Sequence, residues 1–303
     1  MPYFIDVRAD SAGGNPVGSV DAIVVRTDAQ QNPNPSAPLD PQLIQAVQGR
    51  DVLLGTHGFH VNRASGISYL THWNEWLRLG DNGLFVGVLW PGDSRWLPFL
   101  DYPAEGSEAI KSGRLLAAYL EKYFTGANTL SFSSHSLGAR MVLETIRNLP
   151  DSTKVQRVTL MAGAIDDTCL NGEYRDAAAR VGKISVLASS CDEVLKLAFP
   201  LGNPISGILT RGDPYWHGAL GRYGPNPADQ PLNLWKSPNL PESWNFGHAS
   251  YIDCSGPVAG PPAESGPFFP PALVVPPAGT PCPSNSSNWQ QAWAAGFVST
   301  RFY

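Results

Sequence analysis

Ser136 is the residue whose surroundings best suit it to chemistry. It lies in the stretch Thr129 to Leu149, TLSFSSHSLGARMVLETIRNL, which reads as a buried strand, a sharp turn with the serine at its tip, and a helix. Small residues stand two positions before it (Ser134) and two after it (Gly138). A nucleophile held on a strained strand-to-helix turn leaves no room for side chains at those positions, so the spacing has a mechanical cause. The helix that follows directs its free N–H groups and positive dipole end at the serine, where an oxyanion would form during acyl transfer. A serine hydroxyl is a weak nucleophile at neutral pH. It needs a base within hydrogen-bond reach and a third group to orient that base.

The elements that must hold such a site alternate along the chain. The apolar run Val52-Leu53-Leu54 opens the recognisable core and runs into Gly55-Thr56-His57-Gly58-Phe59-His60, after an N-terminal stretch that reads as irregular with a turn-rich insert at Gln31 to Pro41. A helical pattern spans about Ile67 to Leu77, and Leu84 to Leu89 is a second strand closed by Trp90-Pro91-Gly92. Ser107 to Tyr123 is an amphipathic helix with Ile110, Leu115, Leu116, Tyr119 and Leu120 as its apolar positions. Beyond the Ser136 segment come a strand at Arg157 to Met161, a helix around Tyr174 to Arg180 and a strand at Ile184 to Ala188. Repeated strand and helix predict an α/β fold with a mostly parallel central sheet covered on both faces.

Composition sets the outer bounds. A chain of 303 residues, 43% hydrophobic and without internal repeats, is expected to form one domain spanning 1–303, its core at about 45–252. Within it, 201–247 reads as a wall or cap insertion carrying Trp216, Tyr223, Trp235 and Trp244, 253–286 as a proline-rich wrapping loop, and 287–299 as a closing helix with Trp289, Trp293 and Phe297 on one face. A net charge of −5 without a Lys/Arg cluster argues against nucleic acid as a partner. The sequence contains no apolar run long enough to cross a membrane, and its start has no signal-peptide pattern. The expected location is therefore the cytoplasm, or outside the cell if a leader has been removed. Cys169, Cys191, Cys254 and Cys282 match no zinc-site spacing, so neither metal nor cofactor is expected. Pairing of Cys254 with Cys282 and of Cys169 with Cys191 stands beside the reading of free, buried thiols.

Ser134-His135-Ser136-Leu137-Gly138 resembles the nucleophile elbow of the α/β-hydrolase superfamily, of the serine esterase and lipase type; Ser134 stands where that family most often has glycine. The resemblance covers about Val52 to Tyr251. It implies that the partners follow in the order serine, acid, histidine. Asp192, after the strand Ile184 to Ala188, is then the acid, with Asp166, Asp167 and Glu193 as rivals; Asp192 also reads as a cap for a helix at Val194 to Phe199. Of the six histidines, His57 and His60 follow the first core strand, His72 sits in a helical pattern and His135 adjoins the nucleophile. This leaves His248, in a Gly-flanked turn, as the expected base and His217 as its rival. His57-Gly58-Phe59 is similar to the oxyanion loop of lipases, so the main-chain N–H groups of Phe59 and Leu137 are the expected oxyanion donors. His57, His135, Trp90 and Trp96, with Phe99, are expected to line a site for an apolar or aromatic acyl group.

The implied activity is hydrolysis of a small-molecule or lipid-like carboxylic ester. The same constellation also serves thioesterases, amidases, polyester hydrolases, perhydrolases and cofactor-free haloperoxidases. A non-catalytic binding module on the same fold is the alternative of another class.

Overall fold

The computed structural model describes residues 3–8, 23–27, 33–34, 41–59, 61–77, 79, 81–92, 102–196, 218–228, 231, 233, 240, 242 and 246–251. Its frame is an eight-stranded sheet in the order β3-β2-β1-β5-β4-β6-β7-β8. The strands are β1 (Tyr3–Asp6), β2 (Ile23–Thr27), β3 (Pro33–Asn34), β4 (Asp51–Thr56), β5 (Gly83–Leu89), β6 (Thr129–His135), β7 (Val155–Met161) and β8 (Val181–Leu187). From β1 to β8 all neighbours run parallel, while β2 and β3 add an antiparallel edge. The main helices are α1 (Pro41–Ala46), α2 (Arg63–Leu77), α3 (Tyr102–Tyr123), α4 (Gly138–Asn148) and α5 (Arg175–Ala179).

The expected mostly parallel sheet with helices on both faces is therefore present. The N-terminal stretch differs from its reading as irregular. Phe4, Ile5 and Val7 are buried, and β1 pairs with β5 from Tyr3 against Val86 to Asp6 against Leu89. A four-residue strand is too short to establish a period, and a strand buried on both faces does not alternate. Phe4, Ile5 and Val7 thus belong to the buried core.

Strand alternation splits the interior into two layers. Val52 and Leu54 of β4, Val86 and Val88 of β5, and Leu130 and Phe132 of β6 face the layer built on α3, α4 and α5. Leu53, Phe85 and Leu89 face the other, where Ile67, Leu70 and Trp73 of α2 meet Phe4, Met161, Leu187, Phe246 and Tyr251. Two glycines make room for the large rings of this second layer: a Cβ at Gly55 would lie 2.6 Å from the Phe85 ring, and one at Gly87 2.6 Å from Phe4.

The buried stripe of α3 comprises Ala109, Ser112, Gly113, Leu116, Ala117, Tyr119 and Leu120, whereas Ile110 and Leu115 are only half buried. Small residues lead because α3 lies directly on α4, where a Cβ at Gly113 would come 2.7 Å from the Met141 carbonyl oxygen. A hydrophobicity pattern ranks Ile and Leu above Ala, Ser and Gly, so it misses a contact that depends on small size.

Among the described residues, no helix is long and apolar enough to cross a membrane. Cys169 and Cys191 are free thiols. Cys254 and Cys282, the segment Pro257 to Pro283, the predicted helix Ser287 to Ser299, and Trp216, Trp235 and Trp244 lie outside the described residues, as does most of 201–247.

Gly87→Ala is expected to lower stability by about 1–3 kcal/mol, because the new methyl must displace the Phe4 ring in a filled layer. Urea denaturation measures it, and adding Phe4→Leu should recover part of the loss. A neutral Gly87→Ala would contradict the close docking of β1.

Candidate active site

The site forms at the carboxyl ends of the parallel strands. Ser136 leaves β6 with φ 53°, in the left-handed region that costs a non-glycine residue about 1–2 kcal/mol. Three main-chain hydrogen bonds hold it there: its N–H donates to the Met161 carbonyl at 2.9 Å, and its own carbonyl accepts from Ala139 and Ala164, each at 3.1 Å. Leu137 then turns directly into α4, whose N-terminus has no side-chain cap. Ser134, on the strand, is fully buried and stands where the family's usual glycine is expected.

The loop after β4 presses on this turn. A Cβ at Gly58 would lie 2.7 Å from the Ser136 Cβ, and one at Gly138 would lie 2.6 Å from the His57 carbonyl oxygen. Only glycine allows both approaches, so residues 57–59 sit against the serine and the start of α4. His57 and Trp90 lock that loop from behind. The Trp90 indole N–H donates to the His57 carbonyl at 2.9 Å, the Trp90 main-chain N–H donates to His57 Nε2 at 3.3 Å, and His57 Nδ1–H donates to the Gly58 carbonyl at 2.9 Å.

His248 opens a single 3-10 turn, His248–Tyr251, at the far end of the chain's described part. Its Nε2 lies 2.8 Å from Ser136 Oγ and its Nδ1 2.8 Å from Asp192 Oδ2. A carboxylate only accepts, so Nδ1 carries the proton and Nε2 offers its lone pair to the serine hydroxyl. Asp192 is fully buried, whereas the His248 side chain keeps 17% exposure. The other carboxylate oxygen of Asp192, Oδ1, accepts the Leu195 N–H at 2.9 Å and caps the helical turn at 193–196. One oxygen of Asp192 thus caps the turn at 193–196 and the other accepts from His248. Arg222 donates from Nη1 to the Asp192 carbonyl at 2.6 Å and pins the backbone on which this carboxylate sits.

Two of the rival acids are engaged by other partners. Asp166 Oδ1 accepts from the N–H and hydroxyl of Thr168, at 2.8 and 2.6 Å, and Glu193 pairs with Lys196 at 2.9 Å. Asp167 is buried, and its main chain is tied to Gly218 and Asn226. His60, His217, Trp96 and Phe99 lie outside the described residues.

Three residues expected to line the substrate site are placed differently. His57, His135 and Trp90 are all at least 97% buried, enclosed by the loops that flank Ser136. Their polar atoms tie those loops together, so they support the site without forming an open wall. Burial pushes the pKa of His57 and of His135 down from 6.5 to about 3, which keeps both rings neutral.

The sequence reading missed Gly58 as a contact of the serine, Arg222, and the anchors of the histidine turn. Phe246 and Tyr251, in edge-to-face contact at 5.2 Å, are buried in the second core layer and anchor that turn at its two ends. An aromatic on each side of Gly247-His248 was the available signal.

A Ser-His-Asp hydrogen-bonded chain at the carboxyl ends of a mostly parallel sheet places the molecule among the α/β hydrolases. More particularly, the family model described as "Alpha/beta hydrolase of unknown function (DUF900)" matches residues 39–210, and the chain belongs to that family. His248 lies beyond the matched span. No curated protein matches the sequence. Solved structures similar to it include esterase PE8, at 16% identity and TM-score 0.37 over 54% of this chain and 79% of that one. Phospholipase PlaB from Legionella pneumophila is similar at 13% identity and TM-score 0.30, over 47% of this chain and 39% of that one. Thermogutta terrifontis Est2, an esterase, is similar at 8% identity and TM-score 0.29, over 60% and 71%. None of these likenesses is strong enough to carry an activity or substrate across.

The unfolded chain binds protons on its imidazoles near pH 6.5, while the folded chain leaves His57 and His135 neutral down to about pH 3. Stability is therefore expected to fall as pH drops below 6.5 and to stop falling, for these two groups, below about 3. At pH 5 these rings should take up close to two protons on unfolding, about one each. The pH dependence of the urea midpoint measures this, and His135→Gln should remove about one of the two.

Proposed function

We propose that the protein is a serine hydrolase that cleaves carboxylic esters through an acyl-enzyme intermediate. The observation that carries this reading is the unbroken Ser136–His248–Asp192 hydrogen-bond chain, with both links at 2.8 Å, ahead of the uncapped N-terminus of α4.

Ser136 Oγ attacks the ester carbonyl carbon while its proton passes to His248 Nε2. Asp192 holds the ring in the required tautomer and stabilises the imidazolium. The oxyanion is bound by the main-chain N–H groups of Phe59 and Leu137; the contact of Gly58 with Ser136 supports the first, and the direct turn into α4 supports the second. Collapse of the tetrahedral intermediate breaks the C–O bond, and the leaving alkoxide takes the proton from His248. Water then attacks the acyl-serine, giving a proton to Nε2, and collapse frees the acid and returns the proton to Oγ. The substrate is a small-molecule or lipid-like ester, and no step calls on a metal or cofactor.

A fluorophosphonate probe should label Ser136, seen as a mass shift, and Ser136→Ala should lose both labelling and p-nitrophenyl ester turnover while staying folded. A folded wild-type chain that resists the probe would favour a binding module. Asp192→Asn should lower kcat by roughly 10³–10⁴-fold, the order expected when the orienting acid can no longer set the tautomer. Asp166→Asn, whose carboxylate serves Thr168, should leave kcat near wild type. The reverse ranking would move the acid to Asp166.

A further inference from the structure

His135 adjoins the nucleophile, yet its ring takes no part in the Ser136–His248–Asp192 chain. The ring is 3% exposed and lies between two loops. On one side its Nε2 is 2.7 Å from the main-chain carbonyl oxygen of His248. A carbonyl only accepts, so Nε2 carries the proton and donates. On the other side Nδ1 is a bare acceptor with no hydrogen-bond partner, facing Gly58, where a Cβ would come within 2.9 Å of it. The ring centroids of His135 and His248 are 4.9 Å apart and their planes tilted by 54°, and the Tyr251 ring lies 6.2 Å from His135.

The turn that carries His248 needs such a support. A single 3-10 turn has little internal hydrogen bonding; the Ser250 N–H donates to the Gly247 carbonyl and the Gly247 N–H to Ser250 Oγ, both at 3.0 Å. Asp192 fixes one ring atom of His248, and buried Phe246 and Tyr251 hold the two ends of the turn, but none of these bonds the peptide of His248 itself. A donor on the His248 carbonyl fixes the peptide as well. We propose that His135 is a positioning residue: through its Nε2–H bond to the His248 carbonyl it holds the base at its working distance from Ser136, and through its bare Nδ1 edge it spaces that turn from the Gly58 loop. This rests on the reading of Ser136, Asp192 and His248 as the catalytic groups.

A histidine meets both demands at once. Lysine or arginine would bring a charge to within ring contact of His248, which itself becomes cationic as the serine loses its proton. Burial keeps the His135 ring neutral, and the nearness of His248 acts in the same direction. Phenylalanine would fill the space and supply no donor.

Two variants separate the donor from the volume. His135→Phe keeps a ring and removes the donor; His135→Gln keeps an N–H donor at a similar reach. In the full chain, His135→Phe should lower kcat for a p-nitrophenyl ester by about 10- to 100-fold, the cost of a base displaced by up to an ångström. KM should stay within about twofold, since ground-state binding is untouched, and fluorophosphonate labelling of Ser136 should slow by the same factor as kcat. His135→Gln should restore most of both rates. A folded Phe variant with wild-type kcat, or equal losses in the Phe and Gln variants, would overturn the proposal. Should the Phe variant not fold, His135→Asn, whose amide is too short to reach the His248 carbonyl, takes its place. Equal activity of the Asn and Gln variants would overturn the proposal just as clearly. A wild-type chain that is never labelled at Ser136 refutes the nucleophile instead, so the two failures are distinct.

Discussion

The left-handed backbone at Ser136 is the constraint on which the rest of the site depends. A serine at φ 53° is unfavourable by itself, and it persists because its N–H and carbonyl are both engaged, by Met161, Ala139 and Ala164. Those partners come from the end of β7, the loop that follows it and the first turn of α4. The turn is therefore set jointly by two adjacent strands and the helix between them, and not by its own five residues. The same crowding explains Gly58 and Gly138, whose missing side chains let the loop after β4 close on the serine.

Against that rigid centre, Asp192 and His248 arrive from distant parts of the chain. Asp192 is immobilised by the helical turn it caps and by Arg222 on its carbonyl. His248 is immobilised by aromatic anchors sunk into the layer that α2 builds over the sheet. Holding each group through its backbone as well as its side chain is what keeps two 2.8 Å links in line at once. Burying Asp192 completely is acceptable only because both its oxygens accept hydrogen bonds.

Two further imidazoles lie within this frame, both uncharged. His57 uses its ring and its carbonyl to tie the loop after β4 to Trp90, and His135 uses its ring to tie the elbow to the histidine turn. A neutral histidine offers one donor and one acceptor on a rigid plane, which suits it to bracing two loops inside a dry region. The expected cost is acid sensitivity, since the unfolded chain would bind protons that burial keeps off these rings in the folded chain.

Much of this was legible in the order of residues. The alternation of strand and helix from Val52 to Leu187, the small residues flanking Ser136, and the succession of Ser136, Asp192 and His248 are local or ordinal properties, and one dimension is enough to carry them. β1 was not legible, because a four-residue strand with three buried residues in a row shows no period until β5 is beside it. Nor was the small-residue stripe of α3, which has meaning only against α4. The burial of His57, His135 and Trp90 was hidden for a related reason: a polar or aromatic residue beside a sharp turn reads the same whether it faces solvent or a neighbouring carbonyl. By itself, then, the sequence determined which residues can form the elbow and in what order its partners follow. Only the tertiary structure decided which histidine meets the serine, which oxygen of Asp192 caps and which one accepts from His248, and which rings are turned inward. Those choices depend on distances of about 3 Å between residues far apart in sequence, 112 positions for Ser136 and His248 and 56 for Asp192 and His248, and spacing along the chain does not encode them.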